Sequence, residues 1–274
     1  MTDAVEFIDI DWAGRIVSIE HQWIAGPKKA PLMVFLHEGL GSVSMWRDFP
    51  QRICEAVGCR GLVYSRPGYG RSTPRAAEEA WNPDFMHRQA REVLPALLQA
   101  LGIDAKADRP WLLGHSDGAS IALLYAVAFS ENVAGLILLA PHILVEDVSV
   151  ASIEKARTAY LETALPQRLA RHHNDADSVF WGWNDIWLNP DFRRWNIAEE
   201  ISAIACPVLA VQGLDDAYGT LAQIRGIAKR VLQSELLELA DCGHSPHRDQ
   251  PEALIAHIRA FVQRKAGTLG NLSI

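Results

Sequence analysis

Residues Trp111 to Leu124 constrain this chain more than any other stretch. The apolar run Trp111-Leu112-Leu113 ends in Gly114-His115-Ser116-Asp117-Gly118, and Ala119-Ser120-Ile121-Ala122-Leu123-Leu124 follows. This composition predicts a buried strand, a sharp turn and a helix, with a serine at the apex. An apex of this kind holds its backbone under strain, and side chains two positions to either side would collide. Glycine at 114 and 118 removes those collisions. Ser116 then projects above the sheet at the positive end of the next helix, where developing negative charge is favoured. Gly-x-Ser-x-Gly alone arises by chance, and an ordinary helix-capping serine would satisfy it. The flanking strand and helix make it informative.

The rest of the chain repeats this rhythm. Val5 to Asp11 and Arg15 to Gln22 read as two strands joined at Ala13-Gly14, a hairpin signal. Leu32 to Leu36 and Gly61 to Tyr64 are short, wholly apolar strands, as in a sheet covered on both faces. A helical stretch around Met45 to Val57 lies between them. Asn82 to Leu101 is helical in period, with Asn82 as its expected cap and Gly102 at its stop; Pro95 should kink it or shift its start. Val133 to Ala140 is a further apolar run. Alternating strands and helices imply a mostly parallel sheet with helices on both faces. Ligands in such sheets sit at the carboxyl ends of the strands, and the turns at His37, Ser65 and Ser116 share that edge.

From Pro141 to about Glu200 the strand signals vanish. Helical stretches are expected over Val150 to His172 and Asp177 to Leu188, and Trp181, Trp183, Trp187 and Trp195 crowd into the segment. The strand rhythm resumes with Val208 to Gln212 and Glu235 to Leu239, and a helix from Gln250 to about Arg264 closes the chain. The expected organisation is a core of residues 1–140 and 201–274 with a helical cap of residues 141–200 inserted between two strands. The indoles could simply fill core, but four in so short an insert favour a pocket wall.

Composition narrows the functions. The net charge of -7, with no long basic run, argues against nucleic acid or an anionic membrane as the main partner. Cys54, Cys59, Cys206 and Cys242 have neither zinc-type spacing nor the density of a disulfide scaffold. Met1 to Asp11 is acidic without an apolar core, so no signal peptide is expected, and no apolar run is long enough to cross a bilayer. A cytoplasmic protein with free thiols is expected. No metal or cofactor is called for, and homo-oligomerisation is left open.

These features together resemble the α/β-hydrolase family, in its single-domain, cap-bearing form, over nearly the whole chain. That family uses a serine, an acid and a histidine in chain order. The resemblance implies Ser116 as nucleophile. Pro207-Val208-Leu209-Ala210-Val211-Gln212-Gly213-Leu214-Asp215-Asp216 is similar to the family's strand ending in Gly-x-x-Asp, which selects Asp216 over Asp215 as the acid. Glu146 is a third candidate, far from its strand end. Asp241-Cys242-Gly243-His244-Ser245-Pro246-His247 resembles the family's Gly-His-x-Pro-His segment, with His244 as base and His247 structural. His37 and His115 match flanking structural histidines.

An acyl-transfer intermediate needs two N–H donors for its oxyanion. The resemblance implies the amides of Asp117 and Gly39. The family's usual His-Gly-x-x-Gly turn is here His37-Glu38-Gly39-Leu40-Gly41, so Glu38 replaces a glycine. That could shift the donor to Leu40 or set a carboxylate near the site, with Arg66 as partner; an outward Glu38 bound to local backbone is the expectation. Ser65-Arg66-Pro67-Gly68-Tyr69-Gly70-Arg71-Ser72 resembles the family's Asp-x-x-Gly-x-Gly-x-Ser loop, to which no chemistry is assigned. The implied function is a serine hydrolase acting on a small-molecule ester, lactone or related acyl compound. C–C bond hydrolysis, or ligand sensing with little turnover, are the alternatives. Trp181, Trp183 and Trp187 are expected to line the substrate pocket.

Overall fold

The computed structural model describes residues 4–27, 29–76 and 78–270 of the 274-residue chain, with side chains through residue 265. Residues 1–3, the start of the acidic N-terminal stretch, lie outside it. Eight strands form one sheet: β1 (Val5–Trp12), β2 (Arg15–Ile24), β3 (Leu32–Leu36), β4 (Arg60–Tyr64), β5 (Trp111–His115), β6 (Gly135–Leu139), β7 (Val208–Gly213) and β8 (Ser234–Leu239). Their order is β1-β2-β4-β3-β5-β6-β7-β8. β1 and β2 pair antiparallel, as do β2 and β4, and the remaining pairs are parallel. Ala13 and Gly14 both take positive φ, 54° and 75°, the turn that matches the twist of a two-residue hairpin.

Every residue of β3, β5, β6 and β7 is buried, which explains their unbroken apolar sequences. The strand period of two divides them between two cores. Leu32, Val34, Leu36, Leu112, Leu136, Leu138, Val208 and Ala210 face one core. Met33, Phe35, Leu113, Ile137, Leu139, Leu209 and Val211 face the other. The first is roofed by the helical stretch 85–100 and helices Asp117–Ala128 and Ala222–Arg230. The second is closed by Phe49–Val57 and Pro251–Gly270, through Phe49, Ile53, Leu254, Ile258 and Phe261. At roughly 1.5–3 kcal/mol for each fully buried large apolar side chain, this double face is the main source of stability.

One local expectation is corrected. The helix expected from Asn82 begins at Phe85. Pro83 explains this, since a residue preceding proline is driven away from the helical region. Pro95 falls in the first turn of the α-helical segment Leu94–Ala100. Residues Gln89–Val93 form a π-helical turn immediately ahead of it, a local change of register that accommodates a residue without an N–H.

Between β6 and β7 the chain leaves the sheet and forms helices Asp147–Glu162, Leu165–Leu169 and Ala176–Trp187. The two ends of this excursion meet. Ile197 N–H donates to the Ile143 carbonyl (2.8 Å), Val145 N–H to the Trp195 carbonyl (3.3 Å), and Leu144 bridges Asn196 antiparallel. Gln223 and Glu146 secure this neck to the core. The Gln223 side-chain oxygen accepts from Ile143 N–H (2.7 Å), and Glu146 accepts from Thr220 N–H (2.9 Å) and Gln223 (2.7 Å).

Candidate active site

The turn after β5 has the strain its sequence implied. Ser116 sits at φ 52°, ψ -118°, and caps helix Asp117–Ala128. A Cβ at Gly114 would come within 2.4 Å of the Gly118 carbonyl oxygen, and one at Gly118 within 2.1 Å of the Leu36 carbonyl oxygen. Only glycine fits either place, and the apex is clamped between neighbouring strands. Ser116 N–H donates to the Leu139 carbonyl at 2.9 Å.

Three residues from separate strand ends meet here. The Ser116 hydroxyl lies 3.0 Å from His244 Nε2, and His244 Nδ1 lies 2.8 and 2.9 Å from the two oxygens of Asp216. A carboxylate only accepts, so Nδ1 carries the proton and Nε2 turns its lone pair to the hydroxyl. Asp216 is itself held by Tyr218 N–H (2.8 Å) and the Gln212 side chain (2.7 Å). Burial would raise its pKa. The hydrogen bond and charge of His244, with the Tyr218 N–H, outweigh burial and keep it below the usual carboxylate range. Asp215 is exposed and engages through its backbone N–H, which donates to the Cys242 carbonyl. Glu146 is committed to the neck.

The histidines at the edges hold the frame. His115 Nε2 donates to the His244 carbonyl at 2.7 Å, fixing the loop that presents the imidazole. His37 Nδ1 donates to the Glu38 carbonyl (2.7 Å), and its Nε2 accepts from Arg66 N–H (3.0 Å). Burial first, then Arg66, depresses its pKa well below the ordinary value, in keeping with a neutral ring. His247 packs among Trp46, Phe49 and His115.

Glu38 departs from expectation. Its carboxylate turns inward, 3.6 Å from His115 Nδ1 and against Gly41, rather than outward. Burial would raise its pKa, but His115, His37 and His247 reverse this and hold it far below the usual range. Arg66 does not pair with that carboxylate. Its Nη2 donates to the Glu38 carbonyl at 2.8 Å, which also accepts from His37 Nδ1 and from Gly41 N–H at 3.1 Å. A trans peptide points its N–H opposite its C=O. Pinning the Glu38 carbonyl toward Arg66 therefore turns the Gly39 N–H the other way. Sequence reasoning assigned this loop no chemistry and missed the guanidinium's role in orienting the turn.

A cavity of about 260 Å³ opens on Ser116. It is lined by polar residues that include Glu38, Asp117, His142, Ser149, Tyr218, His244 and Ser245, together with Gly39 and the apolar Leu40, Met45, Ile153, Leu165, Leu169, Trp183 and Trp187. Trp183 and Trp187 are four residues apart and share one helix face. Trp183 presses on the first turn so closely that a Cβ at Gly39 would fall 2.1 Å from its indole nitrogen. Trp181 lies apart from the cavity. Two residues from Trp183 is more than half a helical turn, and its ring packs on Tyr160 beneath Arg157. Trp195 is stacked on Phe192 in the core. His142 lines the cavity but was not foreseen; its position just beyond β6, at the same sheet edge as Ser116, was the available signal.

Asp117 is fully buried, with Arg66 Nη2 4.0 Å from its carboxylate. Burial pushes its pKa up to about 6, against the pull of Arg66 and Trp187 and with a push from Glu38. The native state thus binds a proton here more tightly than the unfolded chain. The sign follows: stability contributed by this site falls as pH rises from about 4 to about 6, and the penalty is complete above that window. Asp117→Asn is expected to raise the unfolding free energy by roughly 2–3 kcal/mol at pH 8 and by little at pH 4. Thermal or denaturant unfolding of both proteins across that range checks this; a pH-independent difference would refute it.

A model of the alpha/beta hydrolase family matches residues 33–257, and the chain belongs to that family. RutD of Caulobacter, named for carbamate hydrolysis, is 26% identical, covering 93% of this chain and 99% of its own. An esterase of Mycobacterium tuberculosis is 22% identical, covering 86% and 84%. A carboxylesterase structure from the thaumarchaeon Nitrososphaera gargenis superposes with a TM-score of 0.74 at 17% identity, covering 95% and 99%. Among the described residues no helix is long and apolar enough to cross a membrane.

Proposed function

We propose that this protein is a serine hydrolase that cleaves a carboxylic ester, lactone or related acyl compound through an acyl-enzyme. The observation that carries the reading is the relay Ser116 Oγ to His244 Nε2 (3.0 Å), with His244 Nδ1 on Asp216 (2.8 Å), at the floor of a cavity. Ser116 attacks the carbonyl carbon while His244 takes its proton. Asp216 holds the imidazole tautomer and stabilises the imidazolium. The Gly39 and Asp117 N–H groups receive the oxyanion; neither has an acceptor among the described residues. His244 then protonates the leaving group and activates water to release the acid. Helices of residues 141–200 act as the cap, and Trp183 and Trp187 support an apolar acyl chain. The test is pre-steady-state hydrolysis of a 4-nitrophenyl ester: a burst stoichiometric with enzyme, with acylation mapped to Ser116, is expected. Binding without a burst or label would favour a sensor.

If Trp183 forms an acyl wall, Trp183→Ala should lower kcat/KM for bulky acyl esters by about 1–3 kcal/mol and much less for acetates. Steady-state comparison of the two ester classes checks this. Equal losses, or a change in melting temperature alone, would make Trp183 a structural residue.

A further inference from the structure

The residues that line the cavity at Ser116 distinguish a closed end from an open one. Ile153, His142 and Trp187 are buried, whereas Leu40, Met45, Leu165 and Ser245 are half-buried. The opening lies on the side of the second group. Ser245 follows His244, the residue that hands a proton to the leaving group, so the leaving group departs by that side. No lysine or arginine is among the described residues that line the cavity, and Glu38 sets a carboxylate there. The interior suits an uncharged acyl group.

The rim beyond Met45 and Ser245 carries the opposite sign. Three separate segments meet on it. Ser44 Oγ lies 2.9 Å from His172 Nδ1, which brings the chain after helix Leu165–Leu169 onto the first turn. Arg248 Nη2 donates to the Met45 carbonyl at 3.2 Å. Arg47 stands two residues beyond Met45, and Arg171 immediately precedes His172; both are exposed, as is Arg248. Burial first, then Arg171, Arg248 and Arg47 depress the His172 pKa, so all three guanidiniums stand close to that one ring. None of the three forms an ion pair among the described residues. The acids nearest in sequence do not neutralise them. Glu252 pairs with Arg52, Asp249 accepts from Gly243 N–H at 2.9 Å, and Asp48 pairs with neither Arg47 nor Arg248.

Three like charges gathered from three segments repel one another, and an anion among them relieves that repulsion. A carboxylate brings one negative charge. A phosphate monoester brings nearly two, with three acceptor oxygens that several forked guanidiniums can share.

Resting on the serine-hydrolase reading above, we propose that Arg47, Arg171 and Arg248 form a phosphate-binding rim beside the cavity, so that the substrate joins an uncharged acyl group to a phosphate-bearing leaving group. The acyl chain enters the cavity and is transferred to Ser116. The bond from the acyl carbon to the leaving oxygen or sulfur breaks, and that atom takes the proton from His244. Its phosphate stays outside on the rim throughout.

The experiment compares kcat/KM for butanoate esters of three alcohols that end in a phosphate, a carboxylate or a methoxy group, each with a propyl and a hexyl spacer. In the wild type the phosphate ester is expected to exceed the methoxy ester by about tenfold or more at one spacer length, and potassium chloride should shrink the difference. Arg171→Ala and Arg248→Ala should each lower that ratio severalfold, and the triple alanine variant should bring it to about one. The ratio within each variant cancels any general effect on the cavity. A wild-type ratio near one at both lengths, or a preference that no substitution moves, overturns the rim. An equal preference for the carboxylate ester overturns its assignment to phosphate. Calorimetric titration with inorganic pyrophosphate reads the rim without turnover: binding that weakens in the triple variant is expected, and affinity unchanged by it counts against the site. Absence of both hydrolysis and Ser116 acylation in the wild type instead overturns the hydrolase reading.

Discussion

Ser116→Ala is expected to lower kcat by on the order of 10⁴-fold or more while leaving the fold intact. The loss follows from the relay: without Oγ, His244 has no hydroxyl to deprotonate, and the cavity retains only binding and oxyanion contacts. The fold should survive because the turn is held by other groups. Gly114 and Gly118 permit the close approach of strands, and Ser116 N–H bonds Leu139, a backbone contact that alanine keeps. Steady-state rates with a chromogenic ester, beside a thermal unfolding curve, measure both halves. A variant that retains turnover, with covalent labelling at another residue, would remove Ser116 from the chemistry.

Asp216→Asn should be nearly as damaging, roughly 10⁴-fold in kcat, whereas Asp215→Asn should change it by less than a few-fold. An asparagine at 216 can offer its amide N–H to His244 Nδ1. The imidazole would then carry its proton on Nε2, aimed at Ser116, where a base is needed. Asp215, one residue earlier, has an exposed side chain and is anchored through its backbone. The two variants differ by one position and the same chemical change, so their ratio tests the register directly. Reversal of their order would move the acid to Asp215. Indifference to both would reopen the choice of acid altogether.

The parts of the architecture that showed in the sequence are those in which one physical demand governs many residues. β3, β5, β6 and β7 are legible because burial on two faces leaves no room for polar side chains. The serine turn is legible because its glycines are forced by contacts of under 2.5 Å. Ser116, Asp216 and His244 each follow a strand end, so chain order alone brings them to one edge. What escaped depends on direction rather than position. Arg66 acts through a carbonyl, which has no signature in residue type. Glu38 could be placed near the turn but not turned inward. Trp181 and Trp183 are equivalent in composition, and only helical phase separates a wall from a packing residue.

The neck at residues 143–145 and 195–197 bears on how this molecule could diversify. The two ends of the excursion are hydrogen-bonded to each other, and β6 and β7 pair directly in the sheet, so the strand spacing does not depend on the length of what lies beyond the neck. Lengthening the intervening segment changes the closure entropy of that loop only slowly with its length. The excursion nevertheless touches the site, through Trp183 against Gly39 and through the hydroxyls of Ser149 and Ser152, which donate to the carbonyls of Tyr218 and Ala217 beside Asp216. A different excursion grafted at the same two anchor points would keep the strand spacing but would have to restore those contacts.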